Sequence, residues 1–243
     1  MQYDAWVKHQ RPTPRPIGIF VQWAGRVFLK FGVDVKRLYE LGYWRWRFFR
    51  ERGLSSFTSG IYTDVLRIDR SFYSGKRIID IGCGPRGSLE WLEDASLRVG
   101  IDPLMPDYLK FGIKTHSARY VAATAENLPF AADSFDVVTS INSLDHVDDL
   151  NKTLDEIARV LTVDGRFIFL VEVHPEPTLS EPITIPWDLT SRLSNKFRII
   201  SEFHFEEAEH RPGSVAAARS AIPFDHNNHE CRSGTLLAAL ERL

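Results

Sequence analysis

The sequence has few cysteines, little net charge and no long apolar run, and each shortage excludes a class of protein. Only Cys83 and Cys231 are present among 243 residues, and their separation fits neither a zinc site nor a small disulfide scaffold. The formal net charge of −2 gives no electrostatic reason to expect a nucleic-acid partner. We therefore expect a protein of a reducing compartment, the cytoplasm, that does not bind nucleic acid.

The longest apolar stretch, residues 17–33, is interrupted by Gln22, Arg26 and Lys30, whose side chains are costly inside a bilayer. Residues 1–16 contain three prolines and no apolar core with a cleavage site, so they do not form a signal peptide. Residues 17–33 combine aromatic and basic side chains in a pattern that suits an amphipathic helix at a membrane surface. This segment is interpreted as a peripheral membrane contact or as a cover for the rest of the protein, not as a span.

The first quarter of the chain differs in composition from the remainder. Residues 1–60 contain eleven Lys and Arg against four Asp and Glu, together with four of the six tryptophans. No internal repeat or low-complexity tract is present. We predict an aromatic and basic helical extension or lid over residues 1–74 and a second domain over 75–243, with the boundary near Ser74.

From Gly75 onward, β-rich runs alternate with helical patterns, which is typical of βαβ units and a parallel sheet covered on both faces. The predicted strands are residues 77–81, 97–101, 120–124, 135–141, 166–173, 197–205 and 235–240. The predicted helices are residues 87–94 and 148–161, the second with one apolar face and acids at its start. A turn at 162–165 is expected to end that second helix.

Residues 78–87 read IIDIGCGPRG, a strand that runs into a G-x-G-x-x-G turn. Glycines let the backbone turn tightly and approach a ligand closely, because they carry no Cβ. Asp102 follows Gly82 by twenty residues and ends the second predicted strand, where a carboxylate accepts hydrogen bonds from ribose hydroxyls. These features predict an adenosine-containing ligand and leave both nicotinamide cofactors and adenosylmethionine open.

Three later blocks distinguish these cofactors. Residues 125–130 (AENLPF) and 133–138 (DSFDVV) precede a helix-turn-strand block at 157–167. As a set, over about residues 76–173, they resemble the class I S-adenosylmethionine-dependent methyltransferases of type 11. The resemblance implies an α/β, Rossmann-like fold: a seven-stranded, mostly parallel sheet with helices on both faces, an antiparallel last strand and an N-terminal helical extension.

The resemblance also implies which residues hold S-adenosylmethionine. The turn and Asp80 would surround the methionine part, Asp102 the ribose, residues 125–126 the adenine, and Asn142 the amino-acid end. The expected cofactor-binding set is Asp80, Gly82, Cys83, Gly84, Gly87, Asp102, Pro103, Ala125, Glu126 and Asn142. Two positions depart from the family pattern. Thr124 stands where many relatives carry an acid, and the bulky Arg86 either points to solvent or pairs with a carboxylate.

The implied reaction is methyl transfer to a small molecule, with S-adenosylhomocysteine as product. We expect the acceptor to be an oxygen of a sugar, a lipid-linked intermediate or a secondary metabolite. A hydroxyl acceptor needs a base. His146, after the fourth strand, is the first candidate and His174, after the fifth, is the second, while Glu172 is able to orient either imidazole.

Two alternatives remain from other classes. A nicotinamide-dependent oxidoreductase uses the same glycine turn, although no Tyr-x-x-x-Lys pair is present. A non-catalytic module would keep the cofactor fold without transfer activity. His226 and His229 lie in a polar run, DHNNHE, which is more simply interpreted as a loop than as a metal site, so no metal ligand is predicted. The sequence does not indicate an oligomeric state.

Overall fold

A computed structural model of the chain describes residues 35–54, 59–178, 180–207, 213–228 and 233–243. The segment 17–33, for which membrane contact is predicted, lies outside these residues, as do Cys231 and His229. No helix within the described ranges combines the length and the apolar character that crossing a bilayer requires.

Seven strands form one sheet in the order β3-β2-β1-β4-β5-β7-β6. Their bounds are β1 Arg77–Ile81, β2 Leu97–Ile101, β3 Arg119–Val121, β4 Phe135–Ile141, β5 Leu161–Val173, β6 Phe197–Glu206 and β7 Gly234–Arg242. The pairs β1–β2, β1–β4, β2–β3 and β4–β5 are parallel, whereas β7 is antiparallel to both β5 and β6. This topology confirms the predicted Rossmann-like sheet with its antiparallel last strand.

The central strands are buried on both faces, as their apolar density predicts. Ile78 and Ile79 of β1 are both fully buried but belong to different apolar clusters, because successive side chains of a strand point to opposite faces. Leu154 and Ile157 pack into one cluster. Side chains from residues 61–73 pack into the other. The predicted domain boundary near Ser74 remains a prediction.

Within the described ranges, the α-helices are α1 Val35–Glu51, α2 Met105–Tyr108, α3 Leu150–Val160, α4 Leu189–Arg192 and α5 Ser214–Ser220. The carboxylate of Asp149 caps α3 by accepting a hydrogen bond of 3.0 Å from the Lys152 backbone N–H. The apolar side of α3 is buried against the sheet. The helix predicted at 148–161 is thus confirmed, with slightly tighter bounds.

The helix predicted at residues 87–94 is wrong, because this segment forms successive turns. Ser88, the expected cap, donates its hydroxyl to the buried carboxylate of Asp80 at 2.5 Å. The Ser88 carbonyl accepts a hydrogen bond of 3.0 Å from the Trp91 indole N–H. The hydroxyl that would cap a helix is therefore used by the buried Asp80, and the Ser88 carbonyl is used by a nearby side chain.

Four strands differ in length from their predictions: β6 is longer by one residue and β7 by three, and β3 and β5 differ more. β3 ends at Val121 instead of residue 124, because its partner β2 ends at Ile101, the residue that pairs with Val121. β5 begins at Leu161 instead of residue 166, and the predicted turn at 162–165 lies within it. The pairing of β4 with β5 is irregular between Phe135 and Val137 of β4. This register shift accommodates the extra residues of β5.

Candidate active site

A cavity of about 940 Å³ opens at the carboxyl ends of β1, β2 and β4 and is bordered by α1. β1 and β4 are neighbours although β2 and β3 separate them in sequence, so the strand order reverses at this point. Open α/β sheets bind ligands at such points. Nine of the predicted cofactor-binding residues line the cavity: Asp80, Gly82, Cys83, Gly84, Asp102, Pro103, Ala125, Glu126 and Asn142.

The turn after β1 needs glycine for two reasons, its backbone angles and its lack of space. Gly82 has a φ of +68°, and a Cβ there would lie 2.3 Å from Cβ of Ser143. Gly84 has a φ of +56°, and its Cβ would lie 3.2 Å from the Trp44 ring. A side chain at either position would therefore strain the backbone and press on the walls of the cavity.

Gly87 is not among the residues that line the cavity. It has a φ of +73°, and a Cβ there would lie 2.8 Å from both Glu90 and His116. Its requirement for glycine comes from packing behind the turn, so the cofactor contact expected for Gly87 has no support from its position. Cys83 faces Gly100 across the turn, and burial raises the pKa of its thiol well above the ordinary value.

Asp80 is the centre of a buried hydroxyl network. Its carboxylate accepts hydrogen bonds from Thr139 at 2.6 Å, from Tyr62 at 2.8 Å and from Ser88 at 2.5 Å. Burial raises the pKa of Asp80 to about 6, while the three hydroxyl donors act in the opposite direction. These contacts favour a role for Asp80 in holding the turn over the predicted contact with the ligand.

Asp102 keeps acceptor capacity toward the cavity. One carboxylate oxygen accepts from the Gly84 backbone N–H at 3.2 Å and the other from the Leu104 backbone N–H at 2.9 Å. A carboxylate oxygen accepts two hydrogen bonds, so each has one position left. Burial raises the pKa of Asp102 to about 6, against the lowering effect of the two backbone donors.

The remaining predicted contacts lie on the loops after β3 and β4. Thr124 and Ala125 line the cavity, and Glu126 does so while its carboxylate accepts from the backbone N–H groups of Asp148 and Asp149 at 2.7 and 3.2 Å. Glu126 therefore also supports the start of α3. Asn142, at a φ of 53°, accepts a hydrogen bond from the Ser214 hydroxyl at 2.9 Å.

Helix α1 supplies a wall of the cavity that no sequence motif indicates. Arg86 of the glycine turn pairs with both oxygens of Glu51, at 2.7 and 2.8 Å, and its guanidinium lies 5.6 Å from the centroid of the Trp44 ring. Of the two orientations left open for Arg86, the structure thus shows the pairing with a carboxylate. The α1 residues that line the cavity are Lys36, Arg37, Tyr39, Glu40, Tyr43 and Trp44.

His146 lines the cavity among carboxylates. Its Nδ1 lies 3.3 Å from Oε1 of Glu40, and its Nε2 lies 3.8 Å from Oδ1 of Asp145. Burial lowers the pKa of His146, but Glu40 and Asp145 outweigh that effect and raise it to about 9. A protonated imidazole has no lone pair, so this electrostatic setting disfavours the general-base role predicted for His146.

His174 is not among the residues that line the cavity. Its Nδ1 lies 2.6 Å from the carbonyl oxygen of Glu176, and its buried Nε2 has no hydrogen-bond partner among the described residues. Its position therefore gives no support to the predicted base role. Glu172, two residues earlier on β5, does line the cavity, and burial with the nearby charge of Glu181 raises its pKa to about 7.

The polar run DHNNHE is described only in part. His226 Nε2 lies 2.7 Å from His204 Nδ1, and both rings pack around Trp187 on the antiparallel side of the sheet. Neither histidine is among the residues that line the cavity. His229, the other residue of the considered pair, lies outside the described ranges.

Comparison with known proteins places this geometry in a family. Residues 79–169 match the family described as a methyltransferase domain. The crystal structure of an S-adenosylmethionine-dependent methyltransferase from Mesorhizobium loti shares the fold, with a TM-score of 0.54 and 19% identity over 76% of this chain and 98% of that one. Residues 79–169 therefore carry a methyltransferase domain, and the chain has the fold of the class I, S-adenosylmethionine-dependent methyltransferases. The family resemblance of residues 76–173 is thereby confirmed.

Curated relatives match the same methyltransferase domain. An uncharacterized methyltransferase of Bacillus subtilis is 44% identical over 66 residues, which cover 27% of this chain and 26% of that protein. The chloroplastic tocopherol O-methyltransferase of Arabidopsis thaliana is 28% identical over 121 residues, which cover 46% of this chain and 35% of that protein. The chain thus spans about a quarter to a third of the length of these two relatives.

The family match ends within β5, at residue 169. Glu40, Glu172 and Glu181, which also line the cavity, lie outside the matched methyltransferase segment. Sequence reasoning missed Glu40, Glu181 and the α1 wall and considered Glu172 only as an orienting residue, because only the fold brings these groups together.

Proposed function

We propose that this protein is an S-adenosylmethionine-dependent methyltransferase that acts on a hydroxyl group of a small molecule. The observation that carries the proposal is the joint position of Asp102 and the glycine turn. Both line one cavity at the point where the strand order reverses, which is where this architecture binds nucleosides.

The residues fit the donor. Gly82 and Gly84 leave space that a Cβ would fill, and Asp102 retains one acceptor position on each oxygen for ribose hydroxyls. Residues 124–126 border the same cavity and would flank the adenine. When bound, S-adenosylmethionine supplies a methyl group activated by its sulfonium. The protein would hold the acceptor oxygen in line with that methyl group.

A carboxylate on the cavity wall, that of Glu172, supports the choice of an oxygen atom as methyl acceptor. A hydroxyl becomes a better nucleophile when a base removes its proton. Glu172 faces the cavity, and only Oε1 of its carboxylate accepts a described hydrogen bond, at 2.9 Å from the Ser214 backbone N–H. Its raised pKa is suited to proton transfer near neutral pH. We therefore assign the base role to Glu172 in place of His146 and His174, and the O-methyltransferase among the relatives agrees with an oxygen acceptor.

The donor is tested by calorimetric titration of the full chain with S-adenosylhomocysteine and, separately, with NAD. We expect S-adenosylhomocysteine to bind at one site and NAD to give no signal. The reverse result would replace the proposal with the oxidoreductase alternative.

The base role is tested by Glu172→Gln in a transfer assay against a panel of hydroxylated sugars, lipids and secondary metabolites. We expect transfer to fall about 100-fold or more with S-adenosylhomocysteine affinity unchanged. Glu176→Gln is the matched control, because Glu176 is exposed and is not among the cavity-lining residues. Binding of S-adenosylhomocysteine without transfer to any acceptor would favour the non-catalytic module.

A further inference from the structure

A compact group of metal-binding side chains lies at one wall of the cavity. Asp145 and His146 belong to the 3₁₀ turn Leu144–His146 after β4, and Glu181 lies in the segment after β5. One nitrogen or oxygen atom of each lies within 4.8 Å of the others. Atoms bound to one tetrahedral zinc ion at about 2.1 Å lie about 3.4 Å apart, so these side chains would have to close by about 1–1.5 Å for all three to bind it.

The side chain of Asp145 has an ionic partner, His146, but no described hydrogen-bond partner. The residue is completely buried, and neither carboxylate oxygen accepts a hydrogen bond among the described residues. Its nearest described ionic partner is His146 Nε2 at 3.8 Å, which is beyond hydrogen-bond distance. A cation bound closer than His146 would compensate this buried carboxylate more fully, because burial of a poorly paired charge is costly.

The orientation of His146 matches that of a metal-binding histidine. Such residues direct one ring nitrogen at the metal while the other donates to a carboxylate or a carbonyl group. In His146, Nδ1 lies 3.3 Å from the Glu40 carboxylate, while Nε2 faces Asp145. Without an ion, a proton on Nε2 would occupy the same place between the carboxylates.

His174 repeats this arrangement beside Glu181. Its Nδ1 lies at hydrogen-bond distance from the Glu176 carbonyl oxygen, which leaves Nε2 as the lone-pair nitrogen. That Nε2 is buried, has no described partner and lies 3.8 Å from Oε2 of Glu181. A second nitrogen with a free lone pair therefore borders the cluster.

We propose that Asp145, His146 and Glu181 bind a divalent transition-metal ion, with zinc preferred by this mixture of nitrogen and oxygen ligands. His146 and Glu181 also line the cavity, so positions of the ion not taken by protein would be open to an acceptor oxygen. An ion there polarises an oxygen ligand and lowers the pKa of a bound hydroxyl. This site goes beyond the proposed function. Its affinity for the metal is measured without methyl donor or methyl acceptor, so the two proposals are tested separately.

The test is calorimetric titration of the chelator-treated full chain with zinc chloride alone, followed by metal analysis after gel filtration. We expect one site in the wild type and a loss of affinity of about 100-fold or more in Asp145→Asn and in Glu181→Gln. Glu181→Gln is the second variant because Asp145 is buried and its replacement can impair folding. Unchanged S-adenosylhomocysteine binding in either variant would show that its fold is intact.

His226→Ala is the matched control, because His226 pairs with His204 away from the cluster. It should keep full zinc affinity. Absence of zinc uptake by the wild type would overturn the proposal, and so would zinc binding that Glu181→Gln leaves intact or that His226→Ala removes. A failure of S-adenosylhomocysteine binding with intact zinc uptake would count against the proposed function only.

Discussion

Two glycines of this chain share one backbone conformation in different surroundings. Gly75 has a φ of +70° and Gly82 a φ of +68°, so an L side chain would pay a similar conformational penalty at each. A Cβ at Gly75 would have no neighbour within 4 Å, whereas one at Gly82 would overlap Ser143. Comparison of Gly75 with Gly82 therefore distinguishes the need for a residue that tolerates a positive φ from the need for space at the cavity.

Replacement of each glycine by alanine measures these two requirements. We expect Gly75→Ala to lower the free energy of unfolding by about 1–2 kcal/mol, the usual cost of a left-handed residue. Gly82→Ala should cost about 1–3 kcal/mol more, because overpacking adds to the strain. Urea denaturation of both variants checks this. Equal losses would show that Ser143 moves aside freely.

Asp102 is expected to make binding of the methyl donor dependent on pH. The raised pKa of its carboxyl group sets the direction of that dependence. Burial raises the pKa of this carboxyl to about 6, so it gains a proton as the pH falls below that value. The protonated form loses charge-assisted acceptance from ribose hydroxyls. We expect S-adenosylhomocysteine affinity to be constant well above pH 6 and to fall below it by at most about tenfold per pH unit, until it levels off at the affinity of the uncharged form.

Asp102→Asn provides the control for that titration. We expect its affinity for S-adenosylhomocysteine to be weaker by about 1.5–3 kcal/mol at neutral pH and to vary little with acidification. Calorimetry over a pH series checks both proteins. A fall in affinity that persists in Asp102→Asn would assign the titration to another carboxyl group, such as that of Asp80.

At the scale of elements, α1 is joined to the nucleoside-binding turn by charge and by aromatic packing. Glu51 near its end pairs with Arg86 of the turn, while Trp44 lies against Gly84. Closer to its start, Lys36 pairs with Asp148 at 3.0 Å and Arg37 with Asp107 at 2.8 Å. Since Lys36 and Arg37 sit in partly exposed pairs, we expect them to contribute less than the more buried Arg86–Glu51 contact.

Glu51→Gln tests whether α1 helps to hold the donor site. We expect S-adenosylhomocysteine affinity to fall about fivefold, which corresponds to about 1 kcal/mol, and hydrogen exchange in residues 35–51 to accelerate. Asp188→Asn is the control, because it removes the exposed Arg192–Asp188 pair, whose residues do not line the cavity. Similar exchange rates in both variants would mean that the Arg86 contact does not hold α1.

At the scale of the whole molecule, one sheet with an apolar cluster on each face supports a cavity at a single edge. The cavity walls come from distant parts of the chain, with α1 at one end of the sequence and Ser214 toward the other. A ligand that contacts all of them binds the folded chain only. Its binding energy therefore adds to the free energy of unfolding.

Thermal unfolding measures this coupling. At a concentration 100 times its dissociation constant, S-adenosylhomocysteine should stabilise the fold by about 2.7 kcal/mol. For a chain of this length, that raises the Tm by about 5–10 °C. Differential scanning fluorimetry with NAD as the comparison ligand checks the result. A rise with NAD and none with S-adenosylhomocysteine would contradict the predicted cofactor.

The sequence by itself determined most strands of the sheet and the binding turn, whereas the order of the strands came from the structure. Strands and α3 follow from local periodicity, and the turn needs Gly82 and Gly84 wherever it occurs, since no other residue fits its angles and space. Asp102 was predictable because β1 and β2 are neighbouring parallel strands, and the spacing from Gly82 places it at the carboxyl end of β2. These features depend on residues near one another in the chain.

Only the tertiary structure decided which side chains meet at the cavity. Ser88 lost its predicted capping role because Asp80, eight residues earlier, recruits its hydroxyl in the core. Glu40 and Glu181, which lie before β1 and after β5 in the sequence, join Asp145 around His146, and together they raise its pKa, with Glu40 contributing most. Electrostatic environment depends on distance in space, and the sequence fixes that distance only through the complete fold.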